Sequence, residues 1–152
     1  MHNFDTLGKK ISMMDAVIET WIAKLGLTYN HYAVRYALAA ADAENQPCTQ
    51  KHISDEWLIP KQTVFNICKD YKEKGWITFS ESTTDKRERL MHLTEAGRAQ
   101  ALPVWQATRQ LGGNAIAQFG AEKTAQLFAL MDEFCAVCEW QIARTTVDGE
   151  ER

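Results

Sequence analysis

At 152 residues, 45% hydrophobic and 24% charged, the chain suits one compact domain, or a domain with long dimerisation arms, and wholesale disorder is excluded. No apolar run approaches the ~20 residues that span a bilayer, and Met1-His2-Asn3-Phe4-Asp5 does not begin a secretory signal, so a soluble cytoplasmic protein is expected. The net charge of −3 excludes nucleic-acid binding by gross charge and leaves it only to well-placed groups.

Residues 8–25 carry Ile11, Met14, Val17, Ile18, Trp21, Ile22 and Leu25 at three- and four-residue spacing, which predicts a helix stopped by Gly26. Thr28 can cap a second helix to about Ala41, with Tyr29, Tyr32, Ala33, Tyr36, Ala37 and Ala40 along one side. The polar break from Asp42 to Cys48 ends it, because Pro47 disfavours helix in the residue before it. Thr49 caps a short third helix to about Trp57, and Pro60 suits the start of the fourth, where its missing N–H costs nothing. Leu58-Ile59 then has the length of the turn in a helix-turn-helix.

In the fourth helix Val64, Ile67, Cys68 and Tyr71 share a face that should pack inward. Lys61, Gln62, Thr63, Phe65, Asn66 and Lys69 are left to look outward, and Gly75 stops the helix. A short strand, Trp76-Ile77-Thr78-Phe79, leads to a polar turn ending in Asp85-Lys86-Arg87-Glu88-Arg89, and a second strand closes on Leu93-Thr94. A helix of this kind fits the major groove of DNA, and a basic hairpin beside it can reach the neighbouring backbone or minor groove. Thr94 begins a long helix through Leu102 and Trp105 to about Phe119, with Gly112-Gly113 as a weak point or kink. The last helix runs from Ala121 to about Thr145, striped by Leu127, Leu130, Met131, Phe134, Val137 and Cys138, and the polar tail 147–152 should fray.

The fold expected is mostly α with a small β-hairpin wing: a winged helix-turn-helix flanked by long dimerisation helices. The first helix and the last two carry broad apolar stripes with little beside them in the chain to cover them. A two-fold homodimer is the economical solution. Charge is also uneven. Residues 49–92 hold eight basic against seven acidic groups, a net of +1, whereas residues 121–152 hold three against seven, a net of −4. The bias has the right sign for DNA but is small.

Two motifs sharpen this reading. Asp85-x-Arg87, followed by Leu93-Thr94-x-x-Gly97-Arg98, resembles the wing and following helix of the MarR family of bacterial transcriptional regulators. Ile59-Pro60-Lys61-Gln62-Thr63-Val64, with Lys72-Glu73-Lys74-Gly75, resembles that family's recognition helix. The order of elements is similar over nearly the whole chain. The resemblance implies one domain over 1–152, with a DNA-binding core at 28–96 and dimerisation helices at 1–27 and 97–146. It further implies a homodimer on a pseudo-palindromic operator, usually repressing, released by a small aromatic or phenolic effector or by cysteine oxidation. Three positions depart from the pattern. Asn66 stands where many relatives carry Arg, and Phe65 where a small polar residue is common, so the operator is not transferable. Arg35 interrupts a second-helix segment that is usually more apolar, which bears on any inherited ligand pocket.

The side chains suggest roles. Gln62 and Asn66, four apart, can each pair with adenine, and Thr63 and Phe65 can meet thymine methyls. Lys61 and Lys69 suit phosphates, as does the amino end of their helix. Arg87 is the candidate for minor-groove insertion, Lys86 and Arg89 for phosphate, and Asp85 for holding the arginines in a fixed pose. The plain alternatives are a solvated helix face and a solvated hairpin of alternating charge.

Cys48, Cys68, Cys135 and Cys138 have no framework spacing and are expected as reduced thiols. Cys135 and Cys138 sit three apart and can pair or bind metal, although packing is the simpler role for a mid-helix C-x-x-C without a second ligand pair. His2, His31, His52 and His92 show no metal-ligand spacing. Trp21, Tyr32, Tyr36, Trp57, Trp76 and Trp105 either line an aromatic-ligand cavity or are core. No catalytic motif, cofactor loop or metal site is recognised. The rival readings are a winged-helix module that binds protein, a thiol-based redox-responsive regulator, and a small cofactor-binding or redox enzyme using Cys135 and Cys138.

Overall fold

The computed structural model describes residues 2–147; of the polar tail, 148–152 lie outside the described residues. The order is α1 (Asn3–Lys24), α2 (Tyr29–Glu44), α3 (Gln50–Trp57), α4 (Lys61–Glu73), β1 (Ile77–Glu81), β2 (Arg89–Leu93), α5 (Glu95–Phe119) and α6 (Ala121–Arg144). The fold is mostly α with an antiparallel hairpin, as expected, and the chain divides into two compact units after Thr108, within α5.

In the first unit the capping residues act as their chemistry dictates. Thr28 accepts the N–H of His31, and Thr49 accepts the N–H of His52 at 3.1 Å. Helix α1 begins at Asn3, five residues before the periodic stripe, because His2 Nδ1 accepts the N–H of Phe4 and caps it there. Helix α2 runs three residues beyond the expected stop at Ala41. Its terminator is Asn45, at φ 53°, a left-handed position that asparagine tolerates, and Pro47 lies outside it.

The buried face of α2 is also wider than expected. Ala33, Val34, Leu38 and Ala39 face a core with Ile53, Ile59, Val64, Cys68, Tyr71, Ile77 and Met91. Tyr32 and Tyr36 turn to a second cluster with Ile22, Val104 and Trp57, while Tyr29 is exposed. A helix covered on two sides does not show a single stripe.

The turn between α3 and α4 is held by Ser54, whose buried hydroxyl donates to the carbonyl of Ile59 at 2.6 Å. Leu58 sits at φ 54° and is 89% exposed, so the turn carries a leucine in a left-handed conformation at a cost of about 1–2 kcal/mol. In the hairpin Ile77 pairs with Leu93, Phe79 with Met91 and Glu81 with Arg89. Strand β1 begins one residue later and runs two residues further than the apolar run 76–79, and β2 ends at Leu93, one residue before the expected close at Thr94. The N–H of Met91 donates to the carbonyl of Cys48 at 2.9 Å, which ties the wing to the α2–α3 connection.

The Leu93-Thr94-x-x-Gly97-Arg98 motif is a structural joint. Thr94 donates its hydroxyl to the carbonyl of Gly75 at 2.6 Å and accepts the N–H of Gly97 at 3.0 Å. A Cβ on Gly97 would collide with the main-chain carbonyl of Trp76, so only glycine fits there. Arg98 grips Asp42 of α2 through Nε and Nη2 at 3.0–3.1 Å.

In the second unit α5 continues unbroken through Gly112 and Gly113, and Gly120 at φ 111° separates it from α6. Leu127, Leu130, Met131, Phe134 and Val137 of α6 are exposed, and Cys138 is half-buried. In the first unit Ile11, Met14, Val17 and Ile18 of α1 are exposed as well.

Candidate nucleic-acid interface

Helix α4 presents the division of faces expected from its sequence. Val64, Ile67, Cys68 and Tyr71 are buried; Lys61, Gln62, Phe65, Asn66 and Lys69 are exposed, and Thr63 is half-buried. Pro60 offers no side-chain cap, which leaves the first N–H groups of α4 without a side-chain acceptor. Gln62 Nε2 donates to Asn66 Oδ1 at 3.0 Å, so the two amides form one surface.

The wing tip is ordered by short side chains bonding to the backbone. Ser82 Oγ accepts the N–H groups of Thr84 and Asp85, each at 3.3 Å. Asp85 Oδ1 accepts the N–H of Arg87 at 2.9 Å, and the Glu88 N–H returns to the Asp85 carbonyl at 3.1 Å. Asp85 therefore holds the main chain of Arg87, not a guanidinium, and makes no ion pair with Arg87 or Arg89. A two-residue separation brings a carboxylate to the following N–H more readily than to the end of a long side chain.

Between α4 and the wing lies an open groove of about 500 Å³, which brings Phe65, Lys69, Arg87 and Arg89 together. Lys51, Lys72, Phe79 and Glu88 also line it. Five cations against one carboxylate on one surface is a strong local bias in a chain whose net charge is −3. Phe79 organises part of this charge: Lys72 Nζ lies 5.5 Å and Arg89 Cζ 5.8 Å from its ring centre. Lys61, Gln62 and Asn66 stand on the outward face of α4 and Lys86 at the hairpin tip, away from the groove lining.

Sequence reasoning singled out neither Lys51 nor Lys72 as a contact. Lys72 falls on the stripe of Phe65 and Lys69 at helical spacing and was legible from that. Lys51, in the first turn of α3, reaches the groove only through the α3–α4 packing.

The cysteines separate into two kinds. Burial pushes the Cys48 and Cys68 thiols up to about 12, while Cys135 is exposed and Cys138 half-buried on α6. Among the described residues no group of three or more His, Cys, Asp or Glu side chains is placed to hold a metal, and no helix is long and apolar enough to cross a membrane. Of the six aromatic residues considered for a cavity, Trp76 packs against the main core, and Trp21 against the Ile22–Tyr32–Val104 cluster. Tyr36 and Trp57 also line a second cavity.

A sequence model of the MarR family matches residues 25–88. The structure of NMB1585, a MarR family regulator from Neisseria meningitidis, is 37% identical, with a TM-score of 0.80 over 96% of this chain and 100% of that one. The chain belongs to the MarR family. MepR of S. aureus in its DNA-binding conformation superposes with a TM-score of 0.67 at 18% identity, over 89% of this chain and 98% of that one, a likeness of fold alone. The HTH-type transcriptional regulator Hpr of Halalkalibacterium halodurans is 28% identical over 107 residues, 70% of this chain. This MarR-family chain spans about half the length of that curated relative, 54% of it.

Proposed function

We propose that this MarR-family regulator binds double-stranded DNA as a homodimer on a pseudo-palindromic operator and acts as a repressor. The observation that carries the reading is the groove where Phe65 and Lys69 of α4 meet Arg87 and Arg89 of the wing. Recognition helix α4 enters the major groove, with Gln62 and Asn66 on adenine edges and Thr63 and Phe65 against thymine methyls. Lys61, Lys69, Lys86 and Arg89 meet phosphates, joined by Lys51 and Lys72. Arg87 enters the minor groove on a backbone fixed by Asp85. The DNA-binding core spans 28–96, with dimerisation helices at 1–27 and 97–146.

The exposed apolar faces support the homodimer: Ile11, Met14, Val17 and Ile18 on α1 and Leu127, Leu130, Met131 and Phe134 on α6 call for cover. Release of the operator follows from population shift, a ligand favouring dimers whose two recognition helices are wrongly spaced for successive major grooves. MepR of S. aureus, 17% identical, has been solved in complex with DNA and lends the reading an analogy only.

Selection of bound sequences from a random duplex library tests the proposal. The expected product is a palindrome with half-site centres about one helical turn apart, and binding that falls steeply with salt. Enrichment of no sequence, or binding indifferent to salt, would leave the groove to an acidic protein partner.

A further inference from the structure

The second cavity, about 600 Å³, adjoins the basic groove at Thr49 and Glu88. Its walls come from α2, from α3, and from the wing segment 82–90. The chemistry is the reverse of the first groove. Glu44, Glu56 and Glu88 line it, and among the described residues no lysine or arginine does. Tyr36 and Trp57, their ring centres 5.6 Å apart at 62°, supply aromatic surface, and Ala40 and Ala41 of α2 leave room beside them. Trp57 is also braced edge-on by Tyr32 at 6.1 Å, so its ring is held in place before any ligand arrives. His52 Nε2, also in the lining, stands 2.9 Å from Glu56 Oε2.

We infer that this cavity binds a small amphipathic organic cation, with the charge among Glu44, Glu56 and Glu88 and the apolar body against Tyr36 and Trp57. Carboxylates attract the positive centre, the aromatic faces add a quadrupole attraction for it, and the volume suits a drug-sized molecule. A phenolate or carboxylate ligand meets three like charges in the same space.

The cavity is also wired to the DNA-binding surface. Glu88 and Thr49 line both grooves, and Glu88 closes the wing turn that carries Arg87. A cation seated against the Glu88 carboxylate sits on the residue whose main-chain N–H bonds the Asp85 carbonyl, and so bears on the pose of the wing. The ligand assignment stands on the cavity alone; its regulatory consequence rests on the DNA-binding reading above.

The test uses the full chain and two ions of matched shape, tetraphenylphosphonium and tetraphenylborate, followed by calorimetry and by tryptophan fluorescence. The cation should bind more tightly than the anion, and Glu44→Gln with Glu56→Gln should weaken the cation roughly tenfold while leaving the anion no weaker than before. Equal affinity for the two ions, or a cation indifferent to the double substitution, overturns the assignment and points to the exposed apolar helix faces as the binding surface. Operator binding of the same double variant is measured without either ion. Its retention, together with lost cation binding, separates a failure of this inference from a failure of the DNA-binding reading.

Discussion

Gln62 Nε2 donates to Oδ1 of Asn66 at 3.0 Å across one turn of α4, so the two amides form a single preset surface in the free protein. Such pairing lowers the rotamer entropy to be lost when both reach base edges. Asn66→Ala is therefore expected to relax base preference and to release Gln62 as well, with loss of about 1–3 kcal/mol on the selected operator and little on random duplex. Lys69→Ala should weaken all sequences alike and lower the salt slope by about one. Fluorescence anisotropy on both duplexes at several salt concentrations distinguishes them. Equal losses on specific and random DNA for both variants would remove the base-reading role.

At the wing, Asp85 holds the N–H of Arg87 at 2.9 Å, which makes the backbone turn the object of the motif. Arg87→Ala should cost about 1–3 kcal/mol of operator binding. Asp85→Asn keeps an acceptor for that N–H and should retain most binding, whereas Asp85→Ala loses it and should weaken binding without moving the melting temperature. Operator titration with thermal unfolding of all three variants checks the order. An Asp85→Ala protein that binds as tightly as the parent would leave the carboxylate with no part in posing the wing.

Much of this arrangement is legible in the sequence, and the illegible parts share a cause. Helix α4 reads correctly because one side is buried and one is solvated, so Val64, Ile67, Cys68 and Tyr71 keep a clean period. Helix α2 reads poorly because two clusters cover it, Val34 and Leu38 facing one and Tyr32 and Tyr36 the other. Its end was assigned to the break before Pro47, while Asn45 in a left-handed conformation does the work. Lys51 and the Glu44–Glu56–Glu88 cavity arise from segments brought together only by packing, and local pattern carries no sign of that. The Asp85–Arg87 spacing was visible, but the choice between guanidinium and backbone needed the turn geometry.

The thiols differ enough in environment for a chemical test. Burial raises Cys48 and Cys68 to about 12, so neither forms an appreciable thiolate at neutral pH. A thiol-modifying reagent at pH 8 is expected to spare both in the native protein and to reach them only on unfolding, while exposed Cys135 is modified. Peptide mass spectrometry after brief labelling reads this directly. Native-state labelling of Cys68 would mean that α4 opens far more often than its packing implies.

Helix α6 exposes Leu130 at 63% and Phe134 at 46%, positions one turn apart on a face that water does not favour. Phe134→Glu is expected to raise the dimer dissociation constant by at least about tenfold, since a desolvated carboxylate then opposes association. Operator affinity should fall with it, and sedimentation equilibrium with anisotropy follows both. A Phe134→Glu protein that stays dimeric would take this face out of the subunit contact.

His31 of α2 reaches the carboxyl end of the recognition helix, its Nδ1 2.8 Å from the hydroxyl of Tyr71. Arg35 Nε donates to the same hydroxyl at 3.1 Å, which leaves the phenol proton free to be donated to His31 when its Nδ1 is bare. Burial lowers the His31 pKa from 6.5, with Arg35 and Lys74 adding to the shift and Asp70 opposing it. Between its folded pKa and about 6.5 the unfolded chain thus binds more protons at this site than the folded one. The contribution of neutral His31 is whole above that value and is lost as pH falls through the window down to its folded pKa. Urea unfolding between pH 7.5 and 5 should show stability declining with acid, and His31→Gln, which keeps an acceptor for Tyr71 but cannot charge, should flatten that decline. Parallel profiles for the two proteins would mean that charging His31 leaves its bond to Tyr71 intact.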